Sequence, residues 1–189
     1  SNFDLYDLIK ENMLKNEKIY IIDSYRLPIE RKISSFFHHI INHLPNYKQL
    51  KIEEIIDKFN NSFLFNLEEY HSINEILNYF NLDYFNEFNF KNKYNKKSYK
   101  NIEFIKVRFQ DINEWDKILS NIFNTNIEIH SANLTKNKET YELYQEFKNK
   151  YKVPKFFLEE KLVNDIEFKI YNTKEEQELY LKKWEINSF

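Results

Sequence analysis

The feature that most constrains this chain is the absence of glycine from all 189 residues. A chain of average composition and this length would contain roughly 13 glycines. Glycine-rich loops that hold phosphates with backbone amides, of the GxxxxGK[ST] or GxGxxG kind, are therefore absent from these residues. Alanine is also nearly missing, since Ala132 is the only one, and we interpret both deficits as the codon bias of an AT-rich genome. Any nucleotide bound by these residues must be held by other groups.

Charge balance and the lack of cysteine exclude several classes of protein. The chain has 28 Lys and Arg against 30 Asp and Glu, a net charge of -2, which argues against a nucleic-acid binder or a polybasic membrane binder. Without cysteine there are no disulfides, thiolate nucleophiles or cysteine-ligated metals. No apolar stretch is long enough to span a membrane, and the first ten residues do not resemble a signal peptide, so we expect a cytoplasmic protein.

Apolar periodicity predicts an α/β fold over residues 1–189 as a single domain, with a small, mostly parallel sheet, flanking helices and a helix-rich C-terminal half. Residues 81–100 are predicted to be irregular or to form a hairpin. The predicted strands are 19–22, 102–109 and 127–129. The predicted helices are 4–14, 28–44, 51–60, 73–80, 111–123, 138–151, 154–168 and 173–184.

Three of these segments carry more specific local predictions. In 102–109, Ile102 and Phe104 alternate with Glu103, and Val107 alternates with Lys106 and Arg108, as expected for a strand. A capping box is predicted at two helix starts, because an Asp or Thr is followed three residues later by Glu. The two pairs are Asp111 with Glu114 and Thr173 with Glu176.

The segment with the most chemical content is a predicted strand, turn and helix over residues 18–39. Arg26 lies in the turn and Pro28 suits the first turn of the helix. Ligands bind outside the carboxyl ends of parallel strands, and a helix N-terminus there offers backbone amides to an anion. The Arg26 guanidinium could donate two hydrogen bonds to a phosphate. Arginine is informative here because the chain has only three.

The predicted helix after Pro28 is two-faced. Its polar face carries Arg31, Ser34, Ser35 and His38, at i, i+3, i+4 and i+7, and its apolar face carries isoleucine, phenylalanine and leucine. The polar face therefore begins near the predicted phosphate site. The spacing alone also fits a plain solvent-exposed surface, with Arg26 capping a neighbouring helix.

Residues 26–34, RLPIERKIS, resemble the R-x-P-[IV]-E-R-x-[IL]-S segment of P-loop sulfotransferases. A weaker resemblance to their capsular polysaccharide synthesis branch covers most of residues 18–184. The resemblance implies a truncated P-loop sulfotransferase-like fold that uses PAPS (3′-phosphoadenosine 5′-phosphosulfate) to sulfate a carbohydrate hydroxyl. It implies that Arg26 and Ser34 contact the 3′-phosphate. In this interpretation Arg31 is structural and pairs with a nearby carboxylate.

The chain departs from that family in the segment expected to bind the 5′-phosphosulfate of the donor. Family members hold the 5′-phosphosulfate with a Lys/Ser/Thr-rich loop several dozen residues before the first arginine of the motif, and the 25 residues before Arg26 contain no such loop. Sulfuryl transfer needs charge stabilisation at that position. One alternative is therefore a degenerate sulfotransferase fold that acts as a non-catalytic binding or assembly module. Another is an unrelated helical partner-binding protein.

Catalytic residues are not assigned by the sequence. His38 and Glu11 are available as a general base for the acceptor hydroxyl, but neither matches a family position. His39 and His43 have the i, i+4 spacing of two zinc ligands, yet no third ligand accompanies them in a recognised pattern. We predict no metal site.

The remaining candidates are lysines and tryptophans. Lys136 and Lys138 could reach a donor phosphate in the family manner. Residues 91–100 mix five lysines with two tyrosines, which could stack bases, although a solvated loop is the preferred interpretation. Trp115 and Trp184 lie in amphipathic patterns and are predicted to be core residues.

Overall fold

The computed structural model describes residues 5–65, 73–130 and 139–185. The protein is α/β, about 59% helix, with a small three-stranded mixed sheet and flanking helices. The strands are Ile19–Tyr25 (β1), Tyr94–Tyr99 (β2) and Ile102–Arg108 (β3). The α-helices in the described ranges are Leu5–Leu14 (α1), Pro28–His38 (α2), Ile40–His43 (α3), Ile52–Phe59 (α4), Ile73–Tyr79 (α5), Trp115–Phe123 (α6), Tyr141–Lys150 (α7), Ile166–Ile170 (α8) and Lys174–Glu185 (α9).

The chain forms two compact units, each built from two separate stretches of sequence. The sheet unit comprises Ser1–Arg26 and Glu69–Ile129, and the helical unit comprises Leu27–Glu68 and His130–Phe189. The helix-rich C-terminal half predicted from sequence corresponds to α7, α8 and α9.

The sheet has the strand order β1-β3-β2. The strands β1 and β3 are parallel, with Tyr25 opposite Arg108, and this confirms the predicted parallel pairing. The strand β2 is antiparallel to β3, with Tyr94 opposite Val107 and Tyr99 opposite Ile102. The sheet is therefore mixed rather than mostly parallel, because part of the 81–100 segment forms a hairpin with β3.

Helices cover both faces of the sheet. Ile102 and Phe104 lie on one face in a buried cluster with Ile9 of α1 and with α5. On the opposite face, Ile105 and Val107 pack against α6. Because β3 is the central strand and is covered on both sides, its burial is nearly continuous.

The helical unit has its own apolar core. The predicted apolar face of α2 is buried there, while Ser34 on its other face is only partly buried. Phe36 packs edge-on against Phe59, at 5.3 Å between ring centroids, and both lie near Phe147. Trp184 is 7% exposed in the same core, which confirms its predicted burial.

Several local predictions are corrected by the structure. The predicted 28–44 helix is interrupted at His39, which has φ -112° and ψ 18°. Asp111 lies inside a 3₁₀ turn, Phe109–Glu114, and does not cap α6. Residues 127–129, all described, form no strand, since the Ile127 amide donates instead to Ser120 Oγ (2.9 Å).

The C-terminal predictions gave a mixed outcome. The capping box at α9 is confirmed: the Thr173 amide donates to Glu176 Oε2 (2.8 Å) and the Glu176 amide donates to Thr173 Oγ1 (3.2 Å). The predicted 154–168 helix is wrong as one element, because a π-helical turn, Phe157–Leu162, is followed by the separate α8.

Left-handed backbone positions are occupied without glycine. Among the described residues, positive φ angles occur at Asn16 (57°), Asn81 (54°), Lys93 (62°), Lys100 (53°) and Asn124 (51°). Asparagine tolerates this region better than most residues, because its short polar side chain can hydrogen-bond to the nearby backbone, whereas the lysine side chain does not offset the steric cost in this way. Lys100 occupies the first position of the two-residue hairpin loop between β2 and β3, where glycine, asparagine or aspartate is usual.

Candidate functional site

Arg26 lies at the carboxyl edge of the parallel strand pair. It directly follows β1, and Phe109 directly follows β3, so the two residues leave the sheet at the same edge. The Arg26 guanidinium carbon is 4.8 Å from the centre of the Phe109 ring. This is a cation–π contact, and it holds a partly exposed guanidinium where open α/β sheets bind ligands.

The other two arginines are paired with carboxylates. Arg108 donates from Nε to Asp111 Oδ2 (2.7 Å) and from a terminal nitrogen to Asp111 Oδ1 (3.2 Å), and both side chains are buried. Arg31 lies 3.9 Å from Glu167, which confirms its predicted structural pairing. Among the described residues of the sheet unit, no carboxylate pairs with Arg26. That guanidinium is therefore the arginine available to an external anion.

Ser34 lies in the second turn of α2 and belongs to the helical unit, whereas Arg26 is the last residue of the first stretch of the sheet unit. The Ser34 side chain is partly exposed and makes no hydrogen bond within the described ranges. The predicted polar face of α2 is confirmed in outline, because Ser34, Ser35 and His38 all retain exposure. Joint binding of one phosphate by Arg26 and Ser34 stays a prediction.

The N-terminus of α2 has fewer backbone amides available to bind an anion than the sequence suggests. Pro28, at the first helical position, has no amide hydrogen. The Ile29 amide donates to the Tyr180 hydroxyl (3.2 Å), and the Arg31 amide donates to the Leu27 carbonyl (2.9 Å). Within the described residues, the Glu30 amide is the first-turn amide of α2 that makes no hydrogen bond, so a phosphate near this helix would depend mainly on side chains.

Tyr180 completes a polar cluster that the sequence did not indicate. Its hydroxyl accepts from the Ile29 amide and donates to the Glu30 carboxylate, which also accepts from Lys183 Nζ (2.7 Å). Burial, and secondly the Glu30 charge, hold the pKa of Tyr180 well above its ordinary value. The cluster ties the start of α2 to α9.

A second polar group missed by the sequence lies inside the sheet unit. Lys106 Nζ is 2.6 Å from Asp23 Oδ2, and the Lys106 side chain is 1% exposed. Lys106 and Arg108 are both buried, so the predicted alternation of apolar and charged residues in β3 does not separate a buried face from an exposed one. Arg108 lies over the rings of Phe88 and Phe90, and internal carboxylates compensate both charges.

The histidines do not form a metal centre in the described ranges, where no group of three or more His, Cys, Asp or Glu side chains is close enough to hold an ion. The rings of His39 and His43 are 6.3 Å apart, and His43 packs at 5.1 Å against Phe63. His38 is exposed. Two further candidates, Lys136 and Lys138, lie outside the described residues.

Trp115 occupies a partly buried position rather than a ligand platform. Its indole nitrogen donates to the Arg108 carbonyl (2.9 Å), and its ring packs on the α6 face of the sheet. None of the helices in the described ranges is both long enough and apolar enough to cross a bilayer.

Comparison with known proteins found no matching family model, no similar curated protein and no similar solved structure.

Proposed function

We propose that the chain is a sulfotransferase-like protein that binds the 3′-phosphate of PAPS through Arg26 and Ser34 and directs the sulfuryl group to a carbohydrate hydroxyl. The observation that carries this proposal is the state of Arg26: a guanidinium without a carboxylate partner in its unit, supported by the Phe109 ring at the carboxyl edge of two parallel strands. Arginine in that position suits a phosphate, because its planar donors match two oxygens at once.

In the proposed site, one phosphate is held mainly by side chains. Arg26 supplies the charge and Ser34 supplies a hydroxyl donor, while α2 adds only the Glu30 amide. The carboxylate of Glu30 would repel a phosphate, but its charge is offset by Lys183. The 3′-phosphate is a recognition group and takes no part in bond changes, so this site fixes the donor without performing the transfer.

The transfer itself requires one bond to form and one to break. The acceptor oxygen attacks sulfur, the bond from sulfur to the bridging phosphate oxygen breaks, and the acceptor proton passes to a base. The products are the sulfated carbohydrate and 3′,5′-adenosine bisphosphate. Neither the base nor the group that stabilises the bridging oxygen is assigned to a residue here.

Calorimetric titration with 3′,5′-adenosine bisphosphate and with 5′-AMP tests the proposal. The two ligands differ by the 3′-phosphate alone, so the wild type should prefer the bisphosphate. Loss of a charge-assisted hydrogen bond costs about 1.5–3 kcal/mol, so Arg26→Ala should weaken bisphosphate binding roughly 10- to 100-fold and remove the preference. Ser34→Ala should weaken it about 2- to 10-fold.

Lys18→Ala is the matched control, since Lys18 is an exposed cation just before the opposite end of β1. It should leave the affinity unchanged. Equal affinity for the two nucleotides in the wild type, or equal loss in Lys18→Ala and Arg26→Ala, would contradict the proposal.

In the non-catalytic alternative, Arg26 and Ser34 hold the nucleotide and no sulfuryl group is transferred. Transfer of labelled sulfate from PAPS to oligosaccharides separates the two functions. Nucleotide binding with no transfer would identify a binding module.

A further inference from the structure

A groove of about 620 Å³ lies along β2, the strand at one side of the sheet. Its lining comes from the segment 84–92 and from the first residues of β2. Side chains fix this segment to the strand: Asn95 Nδ2 donates to the Glu87 carbonyl (2.6 Å), and Asn95 Oδ1 accepts from the Asn89 amide (2.9 Å). The groove is therefore a built feature, and its volume lies within the range of small-molecule sites.

Two aromatic rings line the groove and remain exposed. Tyr84 is 52% exposed and packs on no other ring in the described ranges, while Phe90 is 38% exposed. Phe90 is held by Phe88 at 5.2 Å and by the Arg108 guanidinium at 5.2 Å. Phe90 therefore offers apolar surface in a fixed orientation and Tyr84 adds a more exposed ring, and both suit the C–H face of a sugar ring.

The polar groups of the groove match hydroxyls. Asn86 and Asn92 line it, are exposed, and make no side-chain hydrogen bond within the described ranges. A carboxamide donates and accepts, as a hydroxyl does, so two such groups can each bind adjacent hydroxyls. Glu87 adds an exposed carboxylate, which accepts from hydroxyls and repels phosphates.

Three of the lysines beside the groove are already engaged. Lys97 Nζ donates to the Asp83 carbonyl, Lys96 Nζ is 3.7 Å from Glu103, and Lys93 donates to Glu114. Single-stranded nucleic acid needs available cations along its backbone as well as aromatic rings. With these three lysines engaged, and with one exposed cation, Lys91, matched by one exposed carboxylate, Glu87, the groove favours an uncharged ligand.

We propose that this groove binds a neutral oligosaccharide, with Tyr84 and Phe90 stacking on sugar rings and Asn86 and Asn92 binding hydroxyls. Since β2 begins opposite Val107, one end of the groove lies at the same edge of the sheet as Arg26. The groove is then the acceptor site of the proposed transfer. That assignment rests on the proposed function, whereas saccharide binding by the groove does not.

Saturation-transfer NMR and calorimetry on the full chain test the inference, with linear hexasaccharides of glucose, galactose and N-acetylglucosamine as probes and no nucleotide present. At least one hexasaccharide should bind with millimolar or better affinity. Tyr84→Ala should weaken that binding about three- to tenfold, and Asn86→Ala should weaken it about two- to fivefold. Because Tyr84 packs on no described ring, Tyr84→Ala should keep the fold, which circular dichroism verifies.

Tyr141→Ala is the matched control, because Tyr141 is an exposed tyrosine outside the groove lining. Both it and Arg26→Ala should bind the hexasaccharide as the wild type does, so failure of the phosphate site leaves this result intact. No binding of any probe, or equal loss in Tyr84→Ala and Tyr141→Ala, would overturn the inference. Tighter binding of a single-stranded oligonucleotide that Tyr84→Ala abolishes would overturn it too, in favour of nucleic acid.

Discussion

Lys106 Nζ lies 2.6 Å from Asp23 Oδ2 between adjacent parallel strands, with both side chains at most 9% exposed. Asp23 also accepts from the amide of Ile73, the first residue of α5 (3.0 Å), and Oδ1 accepts from the Ser24 amide (2.7 Å). One carboxylate thus neutralises a buried ammonium and fixes the start of a helix. The pair joins β1, β3 and α5.

Removing either partner should destabilise the protein unequally. Asp23→Ala leaves a buried ammonium without a counter-charge and should cost about 3–5 kcal/mol of unfolding free energy. Lys106→Met should cost less, because Asp23 keeps two backbone donors. Urea denaturation measures both. The double variant should recover most of the loss, and additive single effects would show that the ion pair has no energetic coupling.

Tyr180→Phe should lower stability at neutral pH and weaken its dependence on alkaline pH. The Ile29 amide loses its acceptor, which costs about 1–3 kcal/mol. Because burial and Glu30 raise the pKa of Tyr180 above the unfolded value, its contribution is full below about pH 10 and is lost as pH rises toward the folded pKa. The melting temperature of the wild type should therefore fall more steeply than that of Tyr180→Phe as the pH is raised from neutral to alkaline. Tyr141→Phe, at an exposed tyrosine, should behave as the wild type.

Phe109→Leu should weaken the binding of 3′,5′-adenosine bisphosphate about two- to fivefold, because a cation–π contact contributes about 0.5–1 kcal/mol to holding Arg26. Phe109→Tyr keeps an aromatic face and should bind as the wild type does. Calorimetry gives both affinities. An unchanged affinity in Phe109→Leu would show that the ring does not position Arg26.

Substitution of arginine by lysine should affect stability differently at Arg108, which pairs with Asp111, and at Arg26, which has no carboxylate partner in the sheet unit. Arg108→Lys loses the two-point contact with Asp111 and should cost about 1–3 kcal/mol of unfolding free energy. Arg26→Lys removes no carboxylate contact within the sheet unit and should change stability by less than about 0.5 kcal/mol. Urea denaturation of the two variants makes the comparison. Equal destabilisation would contradict these different roles.

Lys100→Gly should stabilise the protein by about 1 kcal/mol, since lysine at φ 53° carries a steric cost that glycine avoids. Lys117→Gly is the control: Lys117 lies inside α6, where glycine should cost about 1 kcal/mol. Differential scanning calorimetry should show the two melting temperatures shifting in opposite directions. A lower melting temperature for Lys100→Gly would indicate that the lysine side chain itself stabilises the hairpin.

Sequence periodicity predicts secondary-structure elements correctly where a single local pattern determines the structure. The strand predicted over 19–22, the helix that begins at Pro28 and the capping box at Thr173 all follow from local chemistry and are confirmed, although β1 continues to Tyr25. Residues 127–129 resembled a strand, but a side-chain hydroxyl from Ser120 satisfied the backbone instead. Asp111 resembled an N-cap, but the buried Arg108 recruited its carboxylate.

The candidate site was predictable only in part, for the same reason. The position of Arg26 at a strand end follows from the local pattern. Its support by Phe109, and the occupation of the Ile29 amide by Tyr180, depend on contacts between residues far apart in sequence. Burial of Lys106 contradicts the alternating pattern of β3, because a charged residue in a central strand is neutralised by a partner 83 residues away. Single-strand periodicity carries no information about such partners.

The interleaving of the two units restricts how the protein can be made and divided. The chain passes between units after Arg26, after Glu68 and after Ile129, so no single cut yields an intact half. On the ribosome, β1 would emerge long before β3, its only hydrogen-bonded neighbour among the described strands, because the whole first stretch of the helical unit is synthesised in between. Until β3 is synthesised, the backbone hydrogen-bonding groups of nascent β1 are therefore unpaired. At this stage a chaperone or a neighbouring polypeptide can bind β1 in competition with β3.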